Sequence, residues 1–317
     1  MFAQGESALQ PRPGGIGELM AEILYGAPAA ESIKAETGCR ALELSNSGVV
    51  PCLGILRMGR RDSQLSYERG LRKTCESLGI RVESIVLPET GSEKQLREAI
   101  AAVNENDEIH GCVILRPLPG NLERQELLDL LRPEKDVDGV TGASLARMMT
   151  GQGPGYAPCT AEAVLRLLDH YGVPLAGAQV TVIGRSLVVG KPLALLLTGR
   201  DATVTLCHSK TRQLPELCRR AEILISAAGQ TGLVNENYVN QNQSVVDVGV
   251  NLNEEGKLCG DVVFGAVEPR VRAISPVPRG LGAVTTAILA EHVVLAALAA
   301  AGRDAKQAPG QNRKEEA

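Results

Sequence analysis

The stretch Ala178–Pro192, AQVTVIGRSLVVGKP, decides how the rest of the chain is read. Val180–Ile183 is uncharged and β-branched, the pattern of a strand buried on both faces. The run stops at Gly184, and a helix begins near Pro192, where a missing N–H costs nothing because the first helical donors are unpaired anyway. A strand, a glycine turn and a helix start bring free N–H groups and the positive helix end to one spot, which makes an anion site. The spacing is G-R-S-x-x-x-G rather than the three-glycine dinucleotide fingerprint.

The next strand, Ala202–Cys207, ends in His208-Ser209-Lys210-Thr211-Arg212. NAD-type folds usually carry an acidic residue there for the ribose 2′-hydroxyl. Hydroxyls and cations stand in its place, and Arg185 projects from the first turn, so this corner suits a 2′-phosphate. NADP is the expected cofactor. Its expected contacts are Gly184, Arg185, Ser186, Gly190, His208, Ser209 and Thr211, with Gly229 and Asn251 at the ends of the strands Ile223–Ala227 and Ser244–Val250.

Working outward, the first half has the same grammar. Helical spacing runs from Glu18 to Glu36, interrupted at Gly26-Ala27-Pro28. Then come a strand (Val49–Leu56), a helix (Ser63–Leu78), a strand (Arg81–Leu87), a helix (Glu93–Asn104), a strand (His110–Leu115) and a helix (Leu122–Leu131). The fold class is therefore α/β: two α/β domains, the second a Rossmann-type dinucleotide-binding domain, with a cleft between them. The expected division is 15–158 with the helix 285–301 as the catalytic domain, 159–284 as the nucleotide domain, and 302–317 as a flexible tail. Residues 1–14 read as a loose arm.

The chain's 317 residues suffice for two domains, and 44% hydrophobic against 22% charged residues supports real cores. A net charge of −4, no Trp and two Phe argue against a nucleic-acid surface, and no polybasic membrane patch is present. The eight cysteines form no C-x-x-C pair, which is reduced, cytoplasmic usage. No His, Cys and Asp cluster has metal-ligand spacing. The Ala-rich stretch Thr285–Ala301 contains Glu291 and His292 and reads as a weakly hydrophobic packed helix, not a membrane span.

Seven motifs lie in one order along the chain: Pro133–Gly139 (PEKDVDG), Pro158-Cys159-Thr160, Gly184-Arg185-Ser186 with Val189-Gly190 and Pro192, His208–Thr211, Asp247–Asn251 (DVGVN), Gly260-Asp261-Val262 and Pro276–Gly282 (PVPRGLG). With them the chain resembles the bifunctional methylenetetrahydrofolate dehydrogenase/methenyltetrahydrofolate cyclohydrolase family over about residues 18–301. The resemblance implies NADP- or NAD-linked oxidation of 5,10-methylenetetrahydrofolate, then in many members hydrolysis of the methenyl cation in the same cleft. It also implies a homodimer. Tyr67, Asp138 and the loop residues Pro276, Pro278, Gly280 and Gly282 fall at its substrate-binding positions, with Tyr67 and Asp138 as the catalytic candidates. Another two-domain dehydrogenase, of shikimate or amino-acid type, would leave PEKDVDG and PVPRGLG unexplained.

The departures are selective. The family helix carries S-x-x-Y-x-x-x-K with lysine as the key catalytic residue; here Gly59, Tyr67, Lys73, Cys75 and Gly79 match without a gap, Gln64 falls on the serine and Leu71 on the lysine. Tyr67 and Leu71 share one helix face, whereas Arg69, Arg72 and Lys73 project elsewhere. The family glutamine falls on Leu115, with Arg116 beside it; Arg279 occupies a glycine position, Ala283 a proline position, and Ala161 another proline position after P-C-T. Arg279 is strained if that position needs a positive φ.

Hydride transfer moves no proton and needs chiefly orientation and a dry site. Hydrolysis needs proton transfers, worth about 10²–10⁴-fold. A lysine of lowered pKa performs them; leucine cannot. The expectation is an NADP-dependent methylenetetrahydrofolate dehydrogenase with weak or absent cyclohydrolase activity. The full bifunctional enzyme and a non-catalytic folate- or nucleotide-binding paralogue are the alternatives. In PEKDVDG, Asp138 is expected to accept from the pterin edge and Asp136 to serve turn chemistry. Cys159 reads as a positioned small residue, and His110, His170 and His292 as structural.

Overall fold

In a computed structural model, the described residues are 20–302. The expected arm at 1–14 and nearly all of the expected tail at 302–317 lie outside them. In chain order the elements are β1 (Glu22–Ile23), α1 (Gly26–Asn46), β2 (Cys52–Met58), α2 (Asp62–Ser77), β3 (Arg81–Leu87), α3 (Glu93–Glu105), β4 (Gly111–Ile114), α4 (Gln125–Leu128) and α5 (Gly142–Thr150). After them come α6 (Cys159–His170), β5 (Gln179–Ile183), α7 (Gly190–Thr198), β6 (Thr203–Cys207), α8 (Leu214–Arg220), β7 (Ile223–Ser226) and β8 (Ser244–Asp247). The chain closes with β9 (Asn251–Leu252), β10 (Leu258–Cys259), α9 (Phe264–Val267), β11 (Ala273–Ile274) and α10 (Gly282–Ala300).

Two parallel sheets carry the fold. The smaller has the order β3-β2-β4, and every residue of β2 and β4 is buried. The larger has the order β1-β11-β8-β7-β5-β6. Its strand order reverses beside β5, because β5 connects to β6 on one side and the chain then returns to β7 on the other. In open α/β sheets that reversal opens a crevice at the carboxyl ends of the strands.

Several elements differ from the sequence reading. Glu22 and Ile23 are not helical; they pair with Ala273 and Ile274 as an edge strand of the larger sheet. The expected break at Gly26-Ala27-Pro28 is instead the first turn of α1, where Pro28 lacks only a donor that no helix uses. Glycine is required at 26, since a Cβ there would lie 1.9 Å from the Gly280 carbonyl oxygen. The helix expected over Leu122–Leu131 is reduced to four residues, its flanks tied across to the loop at Val140 and Gly142 by Gln125 and Asp129. Helix α5, unread in the sequence, has a Thr141 cap accepting from Ser144 N and ends on Gly151 at φ 70°. Helix α10 is apolar and long enough by composition to cross a membrane, more hydrophobic than expected. It is a core helix, packing on α1, α6 and α2 with Val284, Ala287–Ala290, Val293 and Val294 buried.

Candidate active site

The nucleotide end is built from backbone. Gly184 has φ 121°, and a Cβ there would sit 2.2 Å from the Ala227 carbonyl oxygen at the end of β7. A Cβ on Gly190 would fall 1.9 Å from the Gly184 carbonyl oxygen. Both glycines are therefore fixed by close approach of main chain. Ser186 Oγ accepts from Val189 N (3.1 Å) and Gly190 N (3.4 Å), folding the turn against the start of α7. On the neighbouring turn Thr211 Oγ1 accepts from His208 N at 2.8 Å, and His208 Nδ1 accepts from Lys210 N at 3.1 Å. These bonds shape the loop and leave Ser209, Lys210, Arg212 and Arg185 exposed. The glycine-walled cradle, an exposed Arg185 and the hydroxyl- and cation-bearing turn fit a dinucleotide with a phosphorylated ribose.

Gly229 and Asn251 behave differently. The Asp261 carboxylate accepts from Ser226 Oγ, the backbone N–H groups of Ala228, Gly229 and Gln230, and Asn251 Nδ2, all between 2.7 and 3.2 Å. The polar groups of Gly229 and Asn251 expected to face the cofactor are thus engaged by a side chain that shapes the β7 turn. Asp247 accepts from the backbone N–H groups of Gly249, Asp261 and Val262. Burial pushes its carboxyl up to about 6 against those bonds. The sequence singled out both motifs, DVGVN and GDV, but not that their aspartates interlock.

The first-domain end is built from side chains. On α2 the buried stripe is Gln64, Glu68, Leu71 and Cys75, the spacing of one helix face. Tyr67 lies at its edge, 38% exposed. The protein around its phenol, then the nearby Asp138 carboxyl, raise its pKa well above the ordinary value. Leu71 is completely buried and Leu115 nearly so, and both belong to one apolar cluster with Cys75, Val137, Cys159, Leu281 and Val284. No cation of α2 reaches this spot. Arg72 bonds the Val82 carbonyl and Ser84 Oγ, and Arg69 and Lys73 are exposed. Arg116 is an exposed residue paired with Glu123, and it lies close enough to Asp138 to favour its ionised form.

Gln64 was unread beyond its alignment. Its Nε2 donates to the carbonyls of Leu115 (3.2 Å) and Pro117 (3.3 Å), tying α2 to the segment after β4. Its Oε1 has no partner and is buried.

Of the four charged residues of PEKDVDG, Lys135, Asp136 and Asp138 go to three different places. Lys135 Nζ donates to the carbonyls of Val103 and Asn106, both at 2.7 Å, closing the end of α3. Asp136 is fully buried and accepts from Val140 N, Thr141 N and Ser144 Oγ, so it builds the entry to α5 as expected. Asp138 accepts no such set; burial first, then the Asp136 charge, push it up to about 7. The Cys159 thiol, His292 and Arg116 act in the opposite direction.

Cys159 is buried, its Sγ 3.2 Å from the Val137 carbonyl, and burial followed by the Asp138 charge keep it a thiol. It does have a histidine beside it, His292 Nδ1 at 3.6 Å, which the motif did not reveal. That nitrogen lies 2.8 Å from the Val137 carbonyl, which can only accept, so it carries a proton and cannot take one from the thiol.

The loop Pro276–Gly282 leads into α10. Arg279 sits at φ 80°, so the feared strain is real; its guanidinium lies 5.3 Å from the Tyr25 ring centroid and its carbonyl accepts from Gly26 N at 2.9 Å. A Cβ on Gly280 would meet the Pro276 carbonyl at 2.4 Å. Gly282 opens α10 with open space around it, and Pro278 is exposed. A cavity of about 1160 Å³ opens elsewhere, at the amino ends of β2 and β4, and its wall contains none of the expected site residues. Among the described residues no group of three His, Cys, Asp or Glu could hold a metal.

Residues 24–138 match the family model for the tetrahydrofolate dehydrogenase/cyclohydrolase catalytic domain, and residues 158–301 match the same family's NAD(P)-binding domain. A bifunctional protein FolD of Carboxydothermus hydrogenoformans is 45% identical over 279 residues, 87% of this chain and 97% of that protein. The crystal structure of a bifunctional methylenetetrahydrofolate dehydrogenase/cyclohydrolase from Campylobacter jejuni superimposes with a TM-score of 0.84 at 34% identity, covering 87% of this chain and 98% of that one. The corresponding Trypanosoma brucei enzyme, solved with NADP cofactor and inhibitor, gives 0.84 at 32% identity over 90% and 99% of the two chains.

Proposed function

The chain belongs to the tetrahydrofolate dehydrogenase/cyclohydrolase family, and we propose that it oxidises 5,10-methylenetetrahydrofolate with NADP while hydrolysing the methenyl product weakly or not at all. The observation that carries this reading is the fully buried Leu71, in the same apolar cluster as Leu115, while Arg69, Arg72 and Lys73 of α2 are exposed or bonded elsewhere. NADP, when bound, accepts hydride from the methylene carbon between the two folate nitrogens. Oxidation therefore asks of this chain only that it bind both partners, orient them and keep water out. Tyr67 offers a ring face to the folate and Asp138 a carboxylate to the pterin N–H donors. Hydrolysis asks more: water adds to the methenyl carbon, a C–N bond breaks and one proton leaves. Leu71 and Leu115 can neither deliver nor accept that proton.

The Asp138 carboxyl, pushed up to about 7 by burial, can exchange a proton near neutrality, and it favours the bifunctional alternative. Both half-reactions assayed on one preparation decide between them. NADPH formation without methenyltetrahydrofolate hydrolysis above the uncatalysed rate is expected; rapid hydrolysis overturns the proposal, and no NADPH signal despite ligand binding supports the non-catalytic paralogue. The homodimer is also proposed. The β9–β10 hairpin and its surroundings expose Val250 (74%), Leu252 (69%) and Leu258 (44%), an apolar patch suited to a second copy. Leu252→Asp is expected to yield monomers in light scattering, and an unchanged mass would refute this surface.

A further inference from the structure

Against the carbonyl of Val137, the residue before Asp138, lies a buried pair that the proposed reaction does not use. His292, on α10, places Nδ1 2.8 Å from the Val137 carbonyl and Nε2 3.2 Å from Glu162 Oε2 on α6. Both neighbours are acceptors, so both ring nitrogens carry protons and the ring is an imidazolium. Burial alone would strip it; the Glu162 carboxylate, the Val137 carbonyl and Glu291 hold its pKa above the ordinary value instead. The Val137 carbonyl also receives the Cys159 thiol at 3.2 Å, so both its lone pairs are committed. The plane of the peptide linking Val137 to Asp138 is thereby fixed from behind. Tyr156 closes the other face of the ring, centroid to centroid 4.7 Å.

We propose that His292 and Glu162 are positioning residues for Asp138, fixing its backbone through Val137 and supplying a positive charge that favours its carboxylate toward the folate. This rests on the reading of Asp138 as the folate-binding carboxylate. The charged and titratable groups facing the pair are Cys159 and Arg166 from α6, Asp138 from the loop, Tyr156, and Glu291 from α10. Arg166 is shared between Glu162 and Glu291, and Arg40 of α1 completes the outer ring through Glu291. Glu162 and His292 also line the cavity at the amino ends of β2 and β4, so the pair exchanges protons with solvent without passing through the folate cleft.

The test is tetrahydrofolate binding by titration calorimetry as a function of pH, on the full chain without cofactor. The wild type is expected to lose affinity as pH falls through the neutral range. His292→Asn keeps a donor for Val137 but no charge, and Glu162→Gln removes the counterion. Each is expected to move that midpoint upward by about one unit. Arg40→Gln, which touches neither His292 nor Glu162 and pairs with Glu36 and Glu291, is expected to lower thermal stability and leave the midpoint in place. Unmoved midpoints in folded His292 and Glu162 variants overturn the inference; if His292→Asn fails to fold, Glu162→Gln alone decides. Asp138→Asn separates the two claims, since unchanged affinity there refutes the underlying role of Asp138 itself.

Discussion

The β5–α7 turn and the exposed edge of α2 face opposite chemical problems, and they answer them with different parts of the chain. The turn works through main chain: Gly184 and Gly190 are excluded from bearing a Cβ by carbonyls about 2 Å away, and Ser186 merely braces the loop. The α2 edge works through side chains: Gln64, Glu68, Leu71 and Cys75 form its buried stripe, with Tyr67 at the rim. Backbone geometry tolerates little drift because any added atom collides. Side-chain chemistry can be removed one function at a time while the fold persists, since leucine fills the space an amine leaves.

The largest effect should come from rebuilding the side-chain half. Leu71→Lys with Leu115→Gln is expected to raise methenyltetrahydrofolate hydrolysis by about 10²–10⁴-fold. Its melting temperature should fall, because a completely buried site receives a charge. A double variant that folds, keeps dehydrogenase activity and gains no hydrolysis would show that the two leucines are not what separates the half-reactions.

Next comes the backbone half. Gly190→Ala forces main chain apart at 1.9 Å, with strain of about 1–3 kcal/mol, and NADP affinity should drop by up to about 100-fold in fluorescence titration. Little change would mean the turn is softer than its contacts imply.

Within the side-chain half, two aspartates two residues apart should diverge. Asp136→Ala strands two backbone donors and a hydroxyl and is expected to cost about 3 kcal/mol or more in denaturant unfolding. Asp138→Asn should cost no stability at pH 8. The Asp138 pKa is raised to about 7 from an unfolded value near 3.8, so its contribution to stability is greatest below the unfolded value and is lost as pH rises through 7. In the wild type, kcat/KM for the folate is expected to fall about tenfold per unit below that pKa, and the asparagine variant should lack this limb.

The smallest effect is expected at the rim of the nucleotide site. Arg185→Ala should weaken NADP by about tenfold in KM, the size of one charge-assisted contact, and leave NAD nearly unaffected. Equal losses for both cofactors would contradict the phosphate assignment.

Much of the architecture was legible without coordinates. Arg81–Leu87 is a strand with the bounds read from the sequence, the strand read as Ala202–Cys207 starts one residue later, and the helix over 63–78 differs by one residue at each end. These depend on local periodicity, which the sequence contains. The six-stranded sheet's edge was not legible, because a two-residue strand at Glu22–Ile23 has no periodicity and exists only by pairing with residues some 250 positions away. Asp136 and Asp138 could be told apart as capping and ligand candidates, yet neither the near-neutral titration of Asp138 nor its cause was visible.

By itself, then, the amino-acid order determined the two α/β halves, the glycine turn that suits a dinucleotide, and a leucine one turn after Tyr67 on α2. Each is a matter of residue type at short spacing. Only the tertiary structure decided that Gln64 ties α2 to the segment after β4, that Asp261 engages Gly229 and Asn251, and that Arg279 sits at a positive φ. Only it set the His292 ring against the carbonyl of the peptide that bears Asp138. Those outcomes depend on distances between residues far apart in the chain, which burial and chain closure set and no local pattern encodes.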